Sequence, residues 1–523
     1  MKFPVYAMTI LSIITTLSIG CGGSGTSSTT TSSPGAGSSS TPDSGTLTSV
    51  SDNLQYRIRN ASSGLELSIS GQSQVAGASV VQAGDAGTPD QLWHFVPMGN
   101  QQFNVENLAT HQVMGITNAS KASGAAAVQW ADNGTSDHLW QFYLLADGNY
   151  LIKNANSGLY LEDGGSNATS AAVIDQGARA TTGTGCTCQE WALTSTGNSP
   201  YPAPLPVAGA GVSVHDPYML KDTGGTYWLY GTHSTLASSA DMVNFTFSQT
   251  CTAAQRGGYA NCPDIGPDLA LWSGLQTPPS WNNGQNTDIW APDVLYANGT
   301  YFQYYSIPIE PHSGAQAIIG LTTSANPNGP WTDAGQIIES YGSTTGSTTR
   351  FNAIDPAPFV DASGNRWLVF GSWEDGIHVI QLDPATGLRL SSNPTIYNIA
   401  QRGLPSAGEE GPFIYPFNGW YYYFASINVC CSGNSSTYRI IVGRSKSPTG
   451  PYLDRGGLDL MQGGGTILLS AHGNVNGPGG QSVFTDGSQP TLVYHYYDGN
   501  NNGWPALGIN RLGLDADGWP YVE

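Results

Sequence analysis

Charged residues are scarce in this chain. They make up 10% of its 523 residues, with 17 Lys and Arg against 37 Asp and Glu and a net charge of −20. So few basic groups exclude a nucleic-acid partner, because phosphate contacts need Lys and Arg. A neutral partner is favoured, and neutral polysaccharide fits. Beyond the first 21 residues no stretch is long and apolar enough to cross a membrane. Cysteine is sparse too, seven in all. What is abundant is glycine (67), with many Ser, Thr and Asn, 26 Tyr and 14 Trp. That is the profile of an extracellular all-β protein with many turns and aromatic surfaces. The length suffices for two or three domains, each with its own core.

Residues 1–21 read as an export signal: Lys2, an apolar run from Ile10 to Ile19, then Gly20-Cys21. The box "SIGC" resembles that of bacterial lipoproteins, with Leu17 one place earlier than the usual leucine. The resemblance implies lipidation of Cys21, hence a cell-envelope protein whose only membrane contact is that anchor; free secretion is the alternative. Residues 22–50 are rich in Ser, Thr and Gly and should form a flexible tether. Six cysteines remain: Cys186, Cys188, Cys251, Cys262, Cys430 and Cys431. An even number in an exported chain favours disulfides over metal binding. Cys251 with Cys262 would staple one loop, while the pairing of the others stays open.

Residues 51–197 contain three copies of one unit. "YRIRNASSGLEL", "FNVENLATHQVM" and "YLIKNANSGLYL" start at 56, 103 and 150, a spacing of 47, with Asn60, Asn107 and Asn154 in the same place. Each copy runs on through a "VVQ", "AVQ" or "AVID" strand to "QLW", "HLW" or "QEW". A unit that cannot bury its apolar face alone, repeated three times, implies a closed threefold architecture. The segment resembles the ricin-B β-trefoil, whose Q-x-W signature stands in two repeats and reads H-x-W in the middle one. The tryptophans read as core. The resemblance implies carbohydrate binding in shallow pockets, against the alternative of a bare spacer.

After a Pro-rich link at 198–209, residues 210–523 carry a second repeat. "HDPYMLKDTGGTYWLYGT", "WAPDVLYANGTYFQYYS", "IDPAPFVDASGNRWLVFGS" and "EGPFIYPFNGWYYYFAS" each join an apolar strand to an aromatic one through a Gly turn. A looser fifth copy spans 477–498. Five hairpin units with strand-type alternation predict a five-bladed β-propeller. Counting back nine residues from Gly225, Gly299, Gly364 and Gly419 reaches Asp216, Trp290, Asp355 and Glu410. Equivalent positions on inner strands converge on the propeller axis, so three acids should meet there. Glu409, one step along its strand, should point away.

Three carboxyl groups in one cavity force at least one pKa upward. Glycoside hydrolysis uses that arrangement, one acid kept protonated for the leaving oxygen and another kept ionised. Through "HDP", "WAPDV", "NAIDP", "FGSW" and "EGPFI", and through "CCSGNSSTYRIIVGRSKSPTGPYLDRGG" and "YHYYDGNNNGWPALGINRL", the segment resembles glycoside hydrolase family 43, and within it the endo-1,5-α-L-arabinanases. The resemblance implies Asp216 as general base, Glu410 as general acid and Asp355 as the carboxylate that orients the acid and raises its pKa. It also implies inversion, with Asp216 and Glu410 roughly 6.5–9.5 Å apart. Asn352, Ala353, Ile354, Asp355, Ser372 and Gly314 match positions that contact substrate, as does Asp216. Trp290 could offer its face to a furanose ring or pack as core.

The implied activity is endo-hydrolysis of α-1,5-linked L-arabinofuranose chains of arabinan, by a monomer, with no cofactor needed for the chemistry. Exo-acting family 43 activities on arabinofuranose, xylose or galactose are the first alternative, which product analysis separates. A non-catalytic carbohydrate-binding protein is the second, and three converging acids speak against it. One departure stands out. Arabinanases usually read "GPGHNSV" where this chain has "GPGGQSV", and the missing histidine is the family's ligand for a cation in the central channel. Gly480 has no side chain to offer, so no metal ligand is assigned.

Overall fold

The computed structural model describes residues 44–164, 167–179, 185–233, 235–247, 289–308, 317–340, 351–402 and 408–523. The segment read as an export signal, with Cys21, and the residues Cys251, Cys262 and Gly314 lie outside them. The three repeated asparagines explain the first unit. Tyr56–Asn60, Phe103–Asn107 and Tyr150–Asn154 are strands ending on these residues, each fully buried. Each Nδ2 donates across to a main-chain carbonyl, of Cys188, Asp90 or Asp137, at 2.7–2.8 Å. Each Oδ1 accepts from two amides of the following turn. The side chain thus satisfies backbone groups where the strand ladder stops.

Trp93, Trp140 and Trp191 are fully buried, and their indole N–H groups donate to the carbonyls of Leu67, Met114 and Leu161. A cycle of glutamines closes the three units. Gln129 donates to Ser73 and Val75, Gln176 to Ser120 and Ala122, and Gln82 to Asn167 and Thr169. Each repeat is therefore bonded to the one before it, and the first to the third. This is a β-trefoil. Cys186 and Cys188 form a disulfide.

The described residues beyond the trefoil form five separate sheets. Their inner strands are Tyr218–Lys221, Trp290–Ala297, Ala357–Val360, Glu409–Phe417 and Val475–Asp486. Each neighbours the next, and the fifth returns to the first, so the sheets are blades around one axis. The turn residues Gly225, Gly299, Gly364 and Gly419 have φ of 90°, 81°, 84° and 73°, which glycine adopts without a Cβ penalty. The fold is all-β, a trefoil followed by a five-bladed propeller.

The Pro-rich segment 198–209 is pinned at both ends. Buried Tyr201 donates its hydroxyl to Glu106 of the trefoil, the Leu205 amide donates to Ile509, and Ala208–Gly209 pairs with Asn244–Phe245 of the first blade. Beyond it, a buried ionic seam joins the two units. Arg439, on the fourth blade and fully buried, lies 3.3 Å from Asp132 of the trefoil and donates to Asn104. Asn428 also donates to Asp132. Burial pushes the Asp132 carboxyl up, but Arg439, His138 and Arg402 outweigh it and hold it below the usual carboxylate range.

Candidate active site

Every blade brings its inner strand to the axis through a residue with left-handed φ. These are Asp216 (49°), Ala291 (42°), Asp355 (56°), Gly411 (58°) and Gly480 (57°). The first four precede a proline, and all five line an axial cavity of about 40 Å³. Such φ values strain non-glycine residues and are found where surrounding structure imposes them. The ring corrects one expectation. Asp216 and Asp355 occupy equivalent places, but their counterpart on the fourth blade is Gly411, with Glu410 one residue earlier. On the second blade it is Ala291, with Trp290 one earlier. The cause is turn length: five residues link the paired strand ends Lys221 and Tyr227 or Val360 and Arg366, but only two link Ala297 and Thr300 or Phe417 and Trp420. The turn glycine therefore stands two places nearer its strand on the second and fourth blades, and a bulge between Trp290 and Asp293 and between Glu410 and Phe413 gives one place back.

The three acids nevertheless interact. The Asp355 carboxyl is pushed well above its ordinary range by burial and by the charges of Glu410 and Asp216. Burial and the charge of Asp216 push Glu410 up to about 7, against hydrogen bonds from Ser372 and Trp373 that lower it. Ser372 Oγ donates to Glu410 Oε2 at 2.7 Å, and Tyr438 donates its hydroxyl to Oε1. Asp355 Oδ2 accepts the Gly411 amide at 2.9 Å, which ties one acid to the backbone that carries another.

Asp216 sits differently, its side chain 33% exposed. Its Oδ2 accepts from Thr232 Oγ1 at 2.6 Å, and its amide donates to His495 Nδ1 at 3.1 Å. Burial and the neighbouring His215 hold the His495 pKa down to about 3. The ring is therefore neutral, with its proton on Nε2. His215 stacks on it at 4.7 Å. Glu409 points the other way, as its place on the strand requires. It is buried, accepts from the Tyr423 hydroxyl at 2.7 Å and feels the charge of Arg402.

The other residues singled out from the sequence are partly assembled. Asn352, Ala353 and Ile354 lead into Asp355, with Asn352 half-buried and the other two buried. Trp290 is half-buried. Ser372 is buried and bonded to Glu410. Thr232, Tyr438 and His495 were not singled out as site residues. Tyr438 and His495 lie within the quoted motifs, and Thr232 closes the first quoted repeat as Ser306, Ser372 and Ser426 close the others.

Residues 266–520 match Glycosyl hydrolases family 43, and residues 46–130 and 136–202 match the Ricin-type beta-trefoil lectin domain-like family. The chain is 38% identical over 328 residues to the extracellular endo-alpha-(1->5)-L-arabinanase 1 of Bacillus subtilis (strain 168), covering 61% of this chain and 91% of that protein. This chain belongs to glycosyl hydrolases family 43. It is also 33% identical over 327 residues to an extracellular exo-alpha-(1->5)-L-arabinofuranosidase of Cellvibrio japonicus (strain Ueda107), over 60% of this chain and 87% of that one. The solved GH43 endo-arabinanase from Bacillus licheniformis is 35% identical and superposes with a TM-score of 0.50, over 60% of this chain and 99% of that chain.

As a family 43 glycoside hydrolase the protein acts on carbohydrate and needs no cofactor for its chemistry. The central cation implied by the family is a separate matter. A Cβ added at Gly480 would lie 2.5 Å from Asp216 Oδ1 and 2.6 Å from His495 Nδ1, so no side chain fits there without displacing both. Among the described residues no group of three or more His, Cys, Asp or Glu is placed to hold a metal ion. The described residues at the axis do not fit such a cation.

Proposed function

We propose that the protein cleaves α-1,5-linked L-arabinofuranosyl bonds within arabinan, by direct displacement with water and inversion at the anomeric carbon. The observation that carries this reading is the pairing of a half-buried Glu410, its carboxyl pushed up to about 7, with an Asp216 reached by solvent, both held by neutral donors. The names of the relatives supply the sugar.

In this reading Asp216 takes a proton from water as the water oxygen bonds to C1 of the sugar. The bond from C1 to the leaving oxygen breaks, its electron pair goes to that oxygen, and Glu410 supplies the proton. Asp216 ends protonated and Glu410 ionised, and solvent restores both. Asp355 fixes the Gly411 backbone, and the charge that disfavours ionisation of Glu410 is that of Asp216, because like charges repel. Trp290, Asn352, Ala353, Ile354, Ser372 and Gly314 are proposed to border the sugar subsites, with Ser372 acting through Glu410.

The same proposal includes export, lipid attachment at Cys21, a monomer, and carbohydrate held by the trefoil. Neutral arabinan suits a weakly charged protein. Reducing-sugar release from linear arabinan, with arabinoxylan and galactan as controls, tests the substrate. A ladder of oligosaccharides is expected, and release of arabinose alone would move the reading to exo action. Glu410→Gln should lower kcat on arabinan by about 10³-fold or more, since general acid catalysis is worth roughly 10²–10⁴; undiminished hydrolysis would overturn the assignment.

A further inference from the structure

The proposed reaction uses residues of the first, third and fourth blades and leaves the axial end of the fifth without a role. There the chain carries Gly480 and Gln481. Gln481 is 4% exposed, and both ends of its amide are engaged. Its Nε2 donates to the Gly411 carbonyl at 2.7 Å, and its Oε1 accepts from Ser426 Oγ at 2.9 Å. Ser426 is fully buried and is the cross-strand partner of Glu410. Its hydroxyl oxygen also accepts the Gly480 amide at 2.8 Å.

Gly411 follows Glu410 directly, lies in the bulge and has left-handed φ. A glycine in a bulge is the softest point of the strand. Here it is held from two sides, its amide by Asp355 Oδ2 and its carbonyl by Gln481. We propose that Gln481 is a positioning residue for Glu410, clasping the fourth blade to the fifth and fixing the backbone from which that acid reaches the scissile bond. The proposal rests on the reading of Glu410 as the proton donor.

The side-chain chemistry fits this task narrowly. A carbonyl accepts and a hydroxyl can donate, so the residue between them must offer one donor and one acceptor on a single rigid group. An amide does so. A glutamate would set an oxygen against the Gly411 carbonyl. With the clasp gone, the Gly411 peptide can turn, and Glu410 loses its alignment with Ser372 and Tyr438.

The test separates positioning from stability through the leaving group. A departing arabinose needs its proton from Glu410, whereas nitrophenolate leaves without one. Gln481→Met and Glu410→Gln are compared on linear arabinan and on a 4-nitrophenyl α-1,5-arabinotrioside, in the full chain. Gln481→Met should lower kcat on arabinan by about tenfold to a hundredfold with KM nearly unchanged, and lower it less than threefold on the nitrophenyl substrate. Equal losses on both substrates, or none on either, would overturn the clasp. If Glu410→Gln shows the leaving-group contrast and Gln481→Met does not, the clasp alone fails. If Glu410→Gln lacks the contrast, the reading of Glu410 fails and the clasp with it. Should Gln481→Met not fold, Ser426→Ala removes one anchor and keeps the glutamine. It is expected to show the same contrast at smaller amplitude, and its absence would overturn the proposal.

Discussion

Glu410 shows how one position can carry a proton at neutral pH. Burial and the charge of Asp216 lift its carboxyl, while the Ser372 hydroxyl and Trp373 pull it back to about 7. A general acid works only while protonated, so activity should fall as pH rises through about 7. Ser372→Ala removes a donor that favours the ionised form, so the alkaline limb of kcat/KM should move to higher pH. A pH–rate profile of the variant beside the parent reads this directly, and a downward shift would contradict it. The acids themselves were legible in the sequence because each stands in a short motif at a Pro-containing turn. The groups that hold them were legible only in part: Ser372 stands in "FGSW" and Thr232 closes its repeat, but which carboxyl each bonds depends on contacts that no spacing encodes.

At the scale of the strand, the propeller was readable from turn glycines and aromatic strands, but the bulges were not. The short Asn-Gly turns of the second and fourth blades bring the glycine two places nearer its strand and the bulges give one place back, which is why Glu410 and Trp290 aligned with Asp216 and Asp355 when the true counterparts are Gly411 and Ala291. The trefoil repeats contain no such irregularity at their asparagines, and there the spacing translated directly into equivalent bonds. The axial ring also sets a limit on substitution. At Gly480 an added methyl group would face both Asp216 and His495 within 2.6 Å and would hold a left-handed φ at a cost of about 1–2 kcal/mol. Gly480→Ala should therefore lower kcat by about a hundredfold through displacement of Asp216, with a smaller loss in thermal stability. Steady-state kinetics and a melting curve measure the two effects separately.

For the molecule as a whole, the sequence suggested two units joined by a proline-rich link. The structure adds a seam of buried charge between them, Asp132 facing Arg439 and Arg402. It was not legible because a lone Asp in "WADNG" and a lone Arg in "TYRII" lie some three hundred residues apart and carry no shared pattern. Removing one member of a buried pair strands the other, so Asp132→Ala should cost about 3–5 kcal/mol. Urea unfolding of the variant measures this. Asp132→Ala with Arg439→Met should recover much of the loss, because apolar replacement of a buried pair is often neutral.

A tether lets a binding module sweep a volume and raises local concentration according to its length. The trefoil has no such freedom, because the segment leading from it is stitched down and a salt-linked face locks it in place. Any glycan strand gripped by it would reach the hydrolytic centre at one fixed offset and heading, so the protein would measure its substrate as a calliper does instead of fishing for it on a line.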